Sequence, residues 1–163
     1  MDISPGLNHI KQKNFVTALN FFLKLEKNYK QDLNIFFYLG IVFYELGDFK
    51  KSIYYYEEIL KINPNSINAL YNLAIVKQSI GEIETAKKIY NNLKKIDIDK
   101  IKPYYGLFTL NPEYLSEEDF ENIWLIKENK IPSLYDLGLI NFLLSKREKK
   151  NKKFENEIEL LKM

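Results

Sequence analysis

Residues 34 positions apart share a character along most of this chain, and no other property restricts its fold as much. Ala18, Ser52, Ala86 and Phe120 fall in one column of the register, three of the four small. Phe22, Tyr56, Tyr90 and Trp124 fall in a second, which is wholly aromatic. Phe15, Phe49 and Ile83 make a third, Leu25, Ile59 and Leu93 a fourth, and Leu39, Leu73 and Leu107 a fifth. Self-similarity at this spacing marks a stack of supersecondary units, none able to bury its apolar face without a neighbour.

Within one period the apolar spacing is helical. Phe36, Leu39, Gly40 and Phe43 share one face of a helix over 33–46, and Phe49, Ile53, Tyr56, Ile59 and Leu60 one face of a helix over 49–62. Gly47 lies between them, where tolerance of positive φ lets the chain reverse in a short turn, and Asp48 is placed to cap the second helix. Pro64 stops that helix, flanked by the turn formers Asn63 and Asn65. Gly40 and Ser52, like Ala74 and Ala86 one period on, are expected where paired helices approach closely. Tyr56 and Tyr90 are expected to fill the wider gap against the adjoining unit, and Trp124, in their column, is expected to be buried.

The residues 36–40 (FFYLG), then Leu46, Gly47, Asp48, Phe49, Ser52, Tyr56 and Pro64, resemble one tetratricopeptide repeat from end to end. Residues 70–74 (LYNLA), with Ile80, Gly81, Glu82, Ala86 and Tyr90, resemble another. This second unit departs from the family pattern at Leu93, where alanine is usual, and at Ile98, where proline is common. The resemblance implies an all-α fold, a right-handed α-solenoid of helical hairpins. It divides the chain into a partial first repeat at 1–32, repeats at 33–66 and 67–100, a degenerate repeat at 101–134, and a C-terminal hairpin or incomplete repeat at 135–163.

Composition narrows the chemistry. A 46% hydrophobic share in 163 residues suffices for one helical domain, and a net charge of +2 does not call for a polyanion, so no nucleic-acid partner is expected. With no cysteine there is no disulfide, thiolate site or cysteine nucleophile, which suits a reducing, cytoplasmic setting. Met1 to Gly6 lacks a basic segment followed by an apolar one, so no signal peptide is expected, and the longest apolar stretch, 35–44, is too short for membrane insertion. His9 is the only histidine and reads as a packing or surface residue. No glycine-rich phosphate loop occurs. The acids Glu57 and Glu58 lie on a repeat helix, and Glu117, Glu118 and Asp119 follow an N-capping Ser116, where the helix dipole favours acids. The chain is therefore expected to be no enzyme and to hold no cofactor or metal. The basic run 146–153 lacks interleaved aromatics and reads as a solvated turn between two helices.

What remains is surface. In the family the first helices of successive hairpins line a concave groove, and the resemblance places Asn34, Phe37, Tyr38, Ile41 and Tyr44 there, followed by Asn68, Tyr71, Asn72, Ile75 and Gln78, then Tyr105 beside Lys102. Asn72 matches a family asparagine whose amide can both donate to and accept from a peptide backbone. Phe37, Ile41, Tyr71 and Gly106 stand where chaperone-binding members would carry charge or amide, which argues against a reader of chain-terminal carboxylates. A protein or peptide partner held in this groove, in a scaffold or adaptor role, is the leading expectation.

Beyond residue 100, Asn111 and Pro112 cut a helix short, 116–128 reads as a capped amphipathic helix, and Phe154, Ile158 and Leu161 are helically spaced. Residues 101–163 are weakly similar to the repeat region preceding the catalytic domain of some bacterial sulfotransferases. That resemblance implies an alternative role as the non-catalytic arm of such an enzyme, whose catalytic domain is not in this sequence.

Overall fold

The computed structural model describes residues 1–96, 100–129, 132–150 and 161, and all regular structure among them is helical. Hairpins follow one another as α1 (Ser4–Lys11) with α2 (Phe15–Asn28) and α3 (Leu33–Glu45) with α4 (Phe49–Ile62), followed by α5 (Ile67–Ser79) and α6 (Ile83–Ile96). Then come α7 (Lys102–Leu110), a 3-10 turn at Pro112–Tyr114, α8 (Glu117–Asn129) and α9 (Leu134–Lys150). The second helices start at Phe15, Phe49, Ile83 and Glu117, each 34 residues after the last. Two compact units divide the chain, Met1–Ala86 and Lys87–Met163, with the division inside α6.

In the first unit the hairpin turns repeat in their backbone as well as their sequence. Gly47 and Gly81 have φ of +79° and +82°, and Lys13, one period earlier, holds the same left-handed conformation at +59°. Glycine takes that conformation at little cost, whereas lysine strains against its own Cβ. The Asp48 carboxylate accepts from the Lys51 amide at 3.2 Å, and Asp32 caps α3 by accepting from the Asn34 and Ile35 amides at 2.9 and 3.2 Å. Successive helices then pack in order, α1 on α2, α2 on α3, α3 on α4 and α4 on α5.

A glycine-for-aromatic complement holds these hairpins together. The Ser52 hydroxyl donates to the Gly40 carbonyl at 2.8 Å, as the expected close approach requires. A Cβ on Gly40 would meet the Tyr56 ring at 2.7 Å, and a Cβ on Gly6, one period earlier, would meet the Phe22 ring at 2.6 Å. Tyr56 therefore seats on the glycine of its own hairpin, rather than only bridging to the adjoining one. Phe22 does reach forward, stacking on Tyr38 of α3 with centroids 5.3 Å apart. Full burial of such a ring stabilises by about 2 to 3 kcal/mol relative to exposure. Ala18, Ser52 and Ala86 are completely buried, as are Ala74 and Leu39.

The second unit keeps only part of this pattern. Tyr90 is buried against Gly106 of α7, where an added Cβ would stand 2.5 Å from its ring, and Leu93 is fully buried despite its departure from alanine. Ile98 lies outside the described residues. Asn111 and Pro112 end α7 as expected, the Asn111 side chain accepting from the Glu113 amide at 2.9 Å. Ser116 caps α8 reciprocally: its hydroxyl accepts from the Asp119 amide at 3.2 Å while Asp119 accepts from the Ser116 amide at 2.9 Å. Asp119 is buried and forms an ion pair with Lys94 of α6.

Trp124 overturns its expectation, for it is 45% exposed where Tyr56, in the same column, is 1% exposed. The reason is steric. The position 34 residues after Ala74 is Phe108, and Phe120 replaces the small residue of the other column, so no glycine or alanine is placed to receive an indole. Phe108 packs instead on Phe142 of α9, centroids 5.5 Å apart, while Phe120, Ile123 and Ile126 form the buried face of α8.

The basic run also differs from its expected turn. Residues 146–150 continue α9, since no glycine or proline interrupts them and Arg147 is held by Glu117 of α8 through Nε at 2.9 Å and Nη2 at 2.6 Å. Residues 151–153 and the helix expected over 154–161 fall outside the described residues, except Leu161, which is exposed.

Candidate functional site

Ten of the eleven residues expected on the groove belong to two neighbouring helices of the first unit. Asn34, Phe37, Tyr38, Ile41 and Tyr44 are on α3, and Asn68, Tyr71, Asn72, Ile75 and Gln78 on α5. The two helices are joined directly, the Tyr44 hydroxyl sharing a hydrogen bond with Ser79 Oγ at 3.1 Å. Asn34 and Asn68, one period apart, are exposed, and the other eight are half-buried. Partial burial in a regular column is what a face between a packed core and solvent produces.

Their surroundings differ. Phe37 meets Tyr38 at 5.5 Å and Tyr56 at 6.1 Å, so its ring is braced from within its own hairpin. Tyr38, through its stack on Phe22, serves the joint between α2 and α3 as well as the surface. Tyr44 also packs on Phe49 at 5.7 Å. The Asn72 amide nitrogen donates to the Asn68 carbonyl at 2.8 Å, one turn back on its own helix. Tyr105 belongs to α7 of the second unit, its ring edge-to-face with that of Phe142 of α9, centroids 6.1 Å apart.

The period extends this face to residues that the sequence reading did not select. Ile3, Leu7 and Ile10 precede Phe37, Ile41 and Tyr44 by 34 positions and are half-buried at and just before α1. Carrying the groove columns back by one period finds them; the shortness of the first helix had hidden them. Ser79 has no such signature, because its role depends on the distance to Tyr44.

Charge is sparse on α3 and α5. Helix α3 carries no basic residue, with Glu45 its only charge, and α5 carries only Lys77, whose side chain is 15% exposed and paired with Glu82 at 3.1 Å. In the second unit, burial first, with help from Asp119 and Glu118, pushes the Tyr104 hydroxyl up to about 12. Burial likewise raises Tyr55, whose hydroxyl donates to Glu26 at 3.3 Å, and Tyr56. These are structural tyrosines, kept neutral by their surroundings. Among the described residues no three His, Asp or Glu side chains gather as a metal site, and no helix is long and apolar enough to cross a membrane.

Two family models, each described as tetratricopeptide repeat, match residues 34–66 and 55–88. Residues 34–88 are tetratricopeptide repeats. The fold of the chain is similar to that of MamA (residues 41 to end) from Desulfovibrio magneticus RS-1, with a TM-score of 0.65, 16% identity, and coverage of 98% of this chain and 88% of that one. It is also similar to the first repeat domain of Spaghetti (RPAP3) bound to the HSP90 peptide SRMEEVD, with a TM-score of 0.62, 14% identity, and coverage of 69% and 90%. A third similar structure is the repeat domain of Sgt2 from Aspergillus fumigatus, with a TM-score of 0.61, 14% identity, and coverage of 80% and 82%. At such identities these tetratricopeptide neighbours speak to the fold alone, an all-α repeat solenoid. No curated protein matches the chain in sequence.

Proposed function

We propose that this chain is a protein-interaction module, a scaffold or adaptor that binds a peptide or helix across α3 and α5. The observation that carries this reading is the half-buried aromatic and aliphatic face those helices share, with Phe37, Ile41, Tyr44, Tyr71 and Ile75 in register and nearly free of charge. Rigidly held aromatic side chains bury much area at low entropic cost, which suits them as binding anchors. The peptide bound to the Spaghetti domain adds a fold-level analogy for such a role.

The test is to identify partners captured by the purified chain and titrate the partner directly against Ile41→Glu and Asn68→Ala. Loss of binding by Ile41→Glu, with thermal unfolding retained, supports the face. Binding that ignores Ile41 and Ile75 substitutions alike refutes it.

A further inference from the structure

Packing leaves two neighbouring apolar side chains of α8 in solvent, Trp124 at 45% and Leu125 at 52% exposure. We propose that this pair, with the glutamates around it, is a docking site for a basic amphipathic segment of a partner protein, one that presents apolar side chains between lysines or arginines. The exposed residues of 117–128 are Glu117, Glu118, Glu121, Trp124, Leu125 and Glu128, with no cation among them. The site lies on a different helix from the α3–α5 face and does not rest on that reading.

Helical spacing sets both apolar residues between the same two carboxylates. Glu121 and Glu128 stand at i−3 and i+4 from Trp124, and at i−4 and i+3 from Leu125. Residues so spaced are surface neighbours, about 5 to 6 Å apart at Cβ. The repeat does not impose this arrangement. The column of Glu121 holds Leu19, Ile53 and Lys87 on the earlier helices, and that of Glu128 holds Glu26, Leu60 and Lys94, all six half-buried. On α8 the same strip of helix is an open, acidic surface with an apolar centre.

Charge selects the occupant. Glu117 is paired with Arg147 of α9, whereas among the described residues no cation pairs with Glu118, Glu121 or Glu128. Lys127, the only cation on α8, lies over the Trp124 ring with Nζ 5.2 Å from the centroid, so the ring already attracts positive charge. An exposed apolar pair alone would accept partners of any charge. Carboxylates on both sides repel acidic segments, nucleic acid and anionic membrane, and steer a basic segment into register. The partner's apolar side chains then cover Trp124 and Leu125, while its cations meet the unpaired glutamates at the rim.

The experiment titrates the whole chain with the amidated peptide AKRAALLAARKA, whose paired leucines lie between cations at the matching spacings, and follows the emission of Trp124, the only tryptophan. Expected are a saturable blue shift and reduced acrylamide quenching, with affinity lowered about fivefold in the double variant Glu121→Gln, Glu128→Gln and lowered again by added salt. Both glutamates are exposed, so that variant should unfold at the parent's temperature. Ile41→Glu should leave this binding unchanged, which separates it from the α3–α5 face. Emission that does not respond, a response the double variant keeps in full, or an equal response to the peptide with alanines for its leucines or glutamates for its cations would overturn the proposal. Shielding of Trp124 that grows with protein concentration in the absence of peptide would also overturn it, and give the face to a second copy of the chain.

Discussion

The two units treat one aromatic column in opposite ways. In the first, Phe22 and Tyr56 each close onto a glycine of the preceding helix, Gly6 and Gly40, and are lost to solvent. In the second, Tyr90 still finds a glycine in Gly106, but Trp124 meets no small partner and is left outside. A repeat is thus kept by pairs of positions, and an aromatic whose small partner has changed carries the sequence signature of packing without the packing. What replaces it in the second unit is the Phe108–Phe142 contact, the Arg147–Glu117 pair and the Lys94–Asp119 ion pair joined to the α8 cap.

The largest expected effect lies at Tyr56. Replacing it with alanine should destabilise by about 3 to 5 kcal/mol through the cavity left over Gly40, measured by denaturant unfolding. A cost under about 1 kcal/mol would break the comparison from the first unit's side. Next is Asp119→Ala, which unpairs Lys94 and removes half of the α8 cap; a loss of about 2 kcal/mol is expected. Lys94→Met, which removes the opposite partner and fills its space, should cost less than Asp119→Ala, because the cap survives.

The glycines supply a test in opposite signs. Gly40→Ala should destabilise by about 1 to 3 kcal/mol, because its Cβ enters the Tyr56 ring. Gly138→Ala on α9 should stabilise by about 0.5 to 1 kcal/mol, since its Cβ meets nothing within 4 Å and alanine is the better helix former. Alkaline titration yields the smallest change. Because burial raises Tyr104 above the ordinary value of 10.0, its contribution is complete below pH 10 and is lost as pH climbs towards about 12. Tyrosinate absorbance should accordingly lag behind that of the unfolded chain over this range.

The repeat's geometry was legible in the sequence because local rules enforce it. Gly47 and Gly81 were placed by their left-handed turns, Asp48 and Ser116 by their caps, and the stop at Asn111 and Pro112 by proline's missing donor. Trp124 departs from its column because a column on one helix does not carry what faces it, and Phe108 and Phe120 stand where the other repeats have small residues. The basic run departs from the turn expected of its place between two helices because lysine, arginine and glutamate propagate helices well, and residues 146–150 continue α9. The candidate face was legible as a set of columns, and the face residues of α3 and α5 do share two adjacent helices. Its internal hydrogen bonds were not, since the Tyr44–Ser79 distance belongs to packing across 35 residues.

Trp124 is the only tryptophan, so its fluorescence reports on the disputed column alone. Acrylamide quenching of the folded chain is the most direct measurement. Efficient quenching, with emission close to that of water-exposed indole and little further red shift on unfolding, is the predicted result. A shielded, blue-shifted tryptophan would place the fourth aromatic in the core with Tyr56 and Tyr90, and contradict the account.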